Sequence, residues 1–249
     1  MCGFTGIALS DSRARPDLAR LTTMTRTLAH RGPDDEGIEA RGPLAVGFRR
    51  LAIIDVAGGH QPIFNETHDV AVVCNGEIYN FEELRADLEA RGHVFRTSSD
   101  VETIVHLYEE HGERAPEHLV GMFALCVLDW RDADRPRVLL ARDRLGIKPL
   151  YFAHTPQGLV FASEPKAILA SGWVDRRLRA RTLLDYLVTG YCGGAHSAWE
   201  GIERLPPAST LVFDATNEPR IARYWDLPTA ALRETADDVE ILELLDRVV

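Results

Sequence analysis

The chain has 249 residues, 45% of them apolar, and a formal net charge of −10. That length holds one large domain or two small ones, and that apolar share supplies a core, which excludes a disordered chain. The acidic balance argues against nucleic acid or an anionic membrane surface as partner.

Met1-Cys2-Gly3 comes first in chain order. Removal of Met1 would leave Cys2 with a thiol and a free α-amine on one residue, a nucleophile carrying its own base. Such an amine titrates near ~7.7–8.0, whereas a backbone amide is no base at all. A buried small hydrophobe is the competing reading of a lone cysteine. Gly3 leaves room for a substrate to approach the backbone. Residues 3–9 read as a strand that anchors this end in a sheet. The spacing of Leu18, Leu21, Met24 and Leu28 predicts a helix within residues 16–30, begun by Asp17. HRGPDDEG, residues 30–37, is expected to be a loop of breakers and carboxylates. Strands are expected at 44–48 and 51–56, flanking Arg49 and Arg50, with a loop at 58–62.

Residues 70–74 form a continuous apolar strand that runs into Asn75-Gly76, a strong turn signal. A helix follows, with Asn80 and Glu83 spaced as a capping box, Phe81, Leu84 and Leu88 as its apolar stripe, and Gly92 placed to end it. Residues 99–112 repeat this grammar with Ser99 and Glu102, and turn Val101, Ile104, Val105 and Tyr108 inward. Asp100 then falls in a first helical turn, where backbone N–H groups favour a carboxylate whether or not it has a further role. Strands at 121–129, 137–142, 150–153 and 159–163 follow with meander-like spacing. Short helices are expected at 164–170 and 181–188. Sheets covered by helices, α+β rather than alternating βαβ, fit this order.

The last sixty residues differ. A Gly-rich stretch at 190–197 and two proline-marked breaks surround one strand at 209–213. An amphipathic helix is expected at 237–249, with Ile241, Leu244, Leu245 and Val248 on one face and no cap, as if the chain were cut there. Cys2, Cys74, Cys126 and Cys192 lack metal-ligand spacing and read as reduced thiols, with Cys74 and Cys126 in the core. No metal ligands are expected. No apolar run reaches ~18 residues and no signal peptide is evident, so a cytoplasmic protein without membrane contact is expected.

Nine ordered segments, MCGFTGI, RGPDDEG, RRLAIID, GHQPI, CNGEIYN, SSDVE, GMFALCVLD, ARDRLGIKPLY and FASEPKAIL, resemble the glutaminase domain of glutamine-hydrolysing asparagine synthetases. EGIERLPPAS and RYWDLP look like that family's connection into its synthetase domain. The resemblance implies a class II glutamine amidotransferase with the N-terminal-nucleophile hydrolase fold, an α+β, four-layer αββα sandwich of two antiparallel sheets. It implies a glutaminase domain over residues 2–190 and a connection plus the start of a second domain over 191–249. By resemblance Cys2 is the nucleophile, and Asn75 and Gly76 form the oxyanion hole. Arg50 clamps the α-carboxylate of L-glutamine, Glu77 and Asp100 take its α-ammonium, and Leu51, Ile53 and Ile54 line the pocket. RGPDDEG and ARDRLGIKP carry no catalytic role in this reading and are left to position loops.

No cofactor is expected for the glutaminase itself. ATP and Mg2+ are expected only with a C-terminal synthetase domain, whose SGG-type pyrophosphate loop does not occur in this sequence. The full-length family passes ammonia to an aspartyl-adenylate, and its members are often homodimers. The rival readings are a related amidotransferase with another carboxylate acceptor and a non-catalytic glutamine-binding remnant. Class II enzymes acting on sugar phosphates or phosphoribosyl pyrophosphate fit ERLPP and YWDLP less well.

Overall fold

The computed structural model describes residues 2–52, 55, 58–214 and 218–227. In chain order these form β1 (Gly3–Leu9), α1 (Leu18–Arg26), β2 (Asp35–Arg41), β3 (Leu44–Arg50), β4 (Ile63–Phe64), β5 (Val70–Ile78), α2 (Phe81–Ala90) and α3 (Glu102–His111). A 3-10 segment over Gly112–His118 leads into β6 (Gly121–Asp129), β7 (Arg137–Arg142), β8 (Tyr151–Thr155), β9 (Gly158–Ala162), α4 (Pro165–Ala170) and α5 (Ala180–Thr189). The strands β10 (Glu203–Arg204), β11 (Ser209–Phe213) and β12 (Arg220–Arg223) follow. Two antiparallel sheets result, ordered β10-β8-β9-β1-β3-β2 and β12-β11-β7-β6-β5-β4.

Side chains alternate across a strand, and here both faces of each sheet are covered, so the core divides into three interfaces. Between the sheets, Phe4, Ala8, Val46 and Phe48 meet Ala71, Val73, Cys126 and Leu140. Behind the second sheet, Val70, Val72 and Cys74 pack with Leu88 of α2 and Ile104, Val105 and Tyr108 of α3. Behind the first, Ile7 and Val160 pack with Met24 of α1 and Ile168 of α4. The layers are therefore helix, sheet, sheet, helix, the α+β αββα arrangement expected. Burial on both faces also explains why residues 70–74 are continuously apolar rather than alternating.

Several local expectations need correction. HRGPDDEG is a loop only as far as Asp34, because Asp35–Gly37 already pair with Phe48–Arg50 in β2. Arg49 and Arg50 end β3 instead of separating two strands, and Leu51, Ala52 and Asp55 are not strand residues. Asn75-Gly76 is no turn. Asn75 sits opposite Ala124 and Gly76 opposite Phe123 in the middle of the β5–β6 ladder. A Cβ on Gly76 would run into the Met122 carbonyl, so the glycine answers close strand approach rather than a reversal.

Neither capping box forms. Asn80 instead bridges to the loop before β6, donating to the His118 carbonyl and accepting from Val120 N–H. Glu102 reaches back to the N–H groups of Arg96 and Thr97. The sheets also draw on residues after 190, since β10 pairs with β8 and β11 with β7. Ile53, Ile54 and the helix expected at 237–249 lie outside the described residues.

Candidate active site

The alternation that builds the core also assembles the site. Cys2 packs against the inter-sheet cluster and shares the parity of Phe4 and Ala8. Arg50 continues the inward row Leu44, Val46 and Phe48, and Asn75 and Glu77 continue Ala71 and Val73. One cavity at this end of the sandwich is lined by Cys2, Arg50, Leu51, Asn75, Gly76, Glu77 and Asp100, all the site residues read from the sequence that are described.

Cys2 is held from two sides. Leu51 N–H donates to its Sγ at 3.4 Å, and Arg31 Nε donates to its carbonyl at 2.9 Å. Burial pushes the Cys2 thiol up, opposed by the Leu51 N–H and by the charges of Arg50 and Arg31. A thiol so placed needs a base to become a nucleophile. Gly3 does not open a path for substrate as expected; a Cβ there would stand 2.9 Å from Cδ of Arg31, so the space belongs to that side chain.

Backbone direction in β5 fixes the other wall. Phe123, opposite Gly76, spends its N–H and carbonyl on Asp143 across the sheet. The Gly76–Phe123 pair is therefore of the non-bonded kind, and Gly76 N–H points away from β6. Its neighbours on that side are capped by side chains. Gln61 Oε1 accepts from Cys74 N–H at 2.7 Å, and Asp100 Oδ2 accepts from Ile78 N–H at 2.8 Å. Between these two anchors, Asn75 presents a buried Nδ2 that has no hydrogen-bond partner among the described residues. A buried amide donor without an acceptor costs about 1–3 kcal/mol, a cost recovered when an oxygen enters the cavity.

The charged groups are ordered across the same space. Arg50 is buried, and its Nη2 donates to the Asp55 carbonyl at 2.6 Å. A Cβ on Gly59 would come within 2.6 Å of that nitrogen, so Gly59 makes room for the guanidinium. Burial raises the carboxyl of Asp100, and the charge of Glu77 adds to the rise. Two carboxyls that repel each other across a cavity define a seat for a cation.

Sequence reasoning missed Gln61, Ser99 and Lys148, which also line the cavity. Lys148 lies in ARDRLGIKP, and its backbone is fixed by Asp143 and by the buried Arg142, which donates to the Lys148 carbonyl at 2.7 Å. The one available signal was a lone lysine among apolar and glycine residues.

Residues 1–225 match the glutamine amidotransferase domain family. The chain is 37% identical over 242 residues to asparagine synthetase [glutamine-hydrolyzing] 2 of Bacillus subtilis, covering 94% of this chain and 32% of that protein. It is 44% identical over 169 residues to asparagine synthetase [glutamine-hydrolyzing] 3 of Arabidopsis thaliana, covering 68% of this chain and 28% of that protein. The chain thus spans about a third of the length of the curated relatives it matches. Among solved structures, the glutamine phosphoribosylpyrophosphate amidotransferase of B. subtilis superposes with a TM-score of 0.65 at 18% identity, over 90% of this chain and 49% of that one. At that identity the likeness speaks for the fold alone.

Proposed function

This chain belongs to the glutamine amidotransferase domain family, and from that premise we propose that it hydrolyses L-glutamine through Cys2. With Met1 removed, the α-amine of Cys2 takes the thiol proton, directly or through a water, and sulfur attacks the side-chain amide carbon. The carbonyl oxygen becomes an oxyanion facing Asn75 Nδ2 and Gly76 N–H. Collapse breaks the C–N bond, and the proton held by the α-amine leaves with ammonia. The γ-glutamyl thioester that remains is opened by water, returning the thiol and releasing glutamate. Arg50 receives the α-carboxylate with two parallel hydrogen bonds, and Glu77 and Asp100 receive the α-ammonium.

One observation carries this reading: the buried Nδ2 of Asn75, without a hydrogen-bond partner among the described residues, lines the same cavity as the Cys2 thiol. Intact-mass measurement with a glutamine-analogue electrophile tests it. One adduct is expected on Cys2 in protein lacking Met1, and none in Cys2→Ala. Active material that retains Met1, or glutamate release undiminished in Cys2→Ala, overturns it.

The ammonia acceptor is the second part of the proposal. The relatives' names support delivery to ATP-activated aspartate by a synthetase domain following this one, with ATP and Mg2+ bound there and by no residue assigned here. The helix α5 supports such a neighbour, because Leu184, Leu187 and Val188 stand exposed on it, followed by exposed Tyr191. Acceptor assays with ATP on the full-length protein check this part: asparagine formation supports it, and amidation of another carboxylate replaces it. A cytoplasmic location completes the reading. Cys2, Cys74, Cys126 and Cys192 are unpaired, and no helix among the described residues is long and apolar enough to cross a membrane.

A further inference from the structure

Away from the cavity, the connection between α2 and α3 runs beside the turn that follows β4. Four side chains converge there, Glu66 from the turn, His93 from the connection, and His106 and Glu109 from α3. His93 Nδ1 lies 3.5 Å from Glu66 Oε1 and 3.6 Å from Glu109 Oε2. His106 Nδ1 lies 3.5 Å from Glu66 Oε2 and 3.2 Å from Glu109 Oε2. One donor atom from each residue falls within 4.8 Å of all the others. Ligands bound at ~2.0–2.2 Å to a tetrahedral ion stand about 3.3–3.6 Å from one another, close to the histidine–carboxylate distances, so only the wider separations within the 4.8 Å limit need contract on binding. The donor set also selects among ions. Two imidazoles with two carboxylates suit Zn2+, whereas Mg2+ and Ca2+ take oxygen ligands.

Three of the four are held from behind, as metal ligands are. His93 Nε2 faces Glu110 Oε1 at 3.2 Å, an outer carboxylate that keeps the ring proton on Nε2 and leaves Nδ1 as the lone-pair donor. His106 Nε2 is buried 3.9 Å from Glu102 Oε1, beyond hydrogen-bond distance and with no partner among the described residues. Val94 N–H donates to Glu66 Oε1, and Asn65 Nδ2 to Glu109 Oε1, both at 2.8 Å. The His106 side chain is only 1% exposed, while His93, Glu109 and Glu66 are 13, 21 and 28% exposed, which opens a path for an ion from solvent. Two neutral rings and two carboxylates carry a charge of −2, which one divalent ion cancels.

We propose that Glu66, His93, His106 and Glu109 bind one Zn2+ ion in a closed structural site that clamps the α2–α3 connection to α3. That connection continues through Thr97 to Ser99 and Asp100 at the cavity, so the ion fixes the segment that carries Asp100. The competing arrangement holds the two rings as imidazolium ions paired with the same carboxylates.

Titration of the chelator-stripped full chain with Co2+ and then Zn2+ separates the two. One equivalent of Co2+ is expected to give the visible absorption of tetrahedral coordination, to be displaced by one equivalent of Zn2+, and Zn2+ is expected to raise the thermal midpoint. Cys2→Ala should keep that equivalent, which distinguishes the site from the active thiol. His93→Gln and Glu66→Gln should abolish the absorption. Glu110→Gln, which spares all four ligands, should weaken Co2+ about 10–100-fold and gives a readout if the other variants do not fold. Absence of both the cobalt spectrum and the zinc-dependent midpoint shift in the unaltered protein overturns the proposal, as does unchanged affinity in Glu66→Gln.

Discussion

Arg31 Nε donates to the backbone carbonyl of Cys2 at 2.9 Å while its Nη1 meets Glu164 Oε1 at 2.9 Å. Cys2 is therefore positioned by a residue from the loop after α1, which is itself held by the residue that opens α4. Asp34 of the same loop accepts from Ala52 N–H and donates its own N–H to the Arg50 carbonyl, so RGPDDEG sets both sides of the thiol. Replacing Arg31 with Met keeps much of the bulk and removes the donors. A misplacement of 1 Å at a reacting atom costs about 10²-fold in rate. Arg31→Met should lower kcat for glutamine hydrolysis on that order and leave KM within about threefold, measured by steady-state glutamate release.

Glu164 gives the acid-side prediction. Burial pushes its carboxyl up, but hydrogen bonds from Arg31, Lys166 and His30 outweigh it and bring it down to about 2. The folded value thus lies below the ordinary 4.5, so the stability it contributes is present above about pH 4.5 and is lost as pH falls toward 2. With the side chain 23% exposed, that contribution is on the order of 2 kcal/mol. Thermal midpoints of Glu164→Gln should fall short of the parent by the widest margin above pH 5 and converge with it near pH 2.

Asn75→Ala separates function from stability. Loss of one oxyanion donor should reduce kcat about 10²–10³-fold. Removing a buried amide donor that has no partner among the described residues should not lower the thermal midpoint and is expected to raise it. A clear loss of stability would mean that the Nδ2 serves the fold instead of the reaction.

Arg50 and Gly59 form a pair for substrate affinity. Arg50→Lys keeps the charge but loses the planar fork, and Gly59→Ala drives a methyl against Nη2. Both should raise KM for glutamine about tenfold or more with smaller effects on kcat. A fall in kcat at unchanged KM, in the same assay, would place the guanidinium elsewhere in the reaction.

Much of this architecture was legible in the chain because the core strands carry unbroken apolar runs. β1, β6 and β7 begin and end where their residues predicted. Edge strands were harder to see. In β2 only Gly37 is buried, and β12 is exposed throughout, so neither shows an apolar pattern. Asn75-Gly76 misled for a different reason, since a glycine required by a neighbouring strand is spelled like one required by a turn. Of the site, Cys2, Arg50, Leu51, Asn75, Gly76, Glu77 and Asp100 could be named from motifs. Gln61 and Arg31 act through pairings with distant segments, Cys74 and Cys2, that no local spacing encodes, and Lys148 reaches the cavity from a loop tied to its own neighbours Arg142 and Asp143.

The late strands have a practical corollary for anyone trimming this protein. A version stopped at residue 190 would strip β10 from β8 and β11 from β7, baring one lateral margin on each sheet. Leu205, Leu211 and Phe213 would leave the interior with them. Bare margins of that kind recruit strands from other molecules, so such a product should self-associate and precipitate. One carried through residue 227 keeps β10 on β8 and β11 on β7, and with them both margins sheathed.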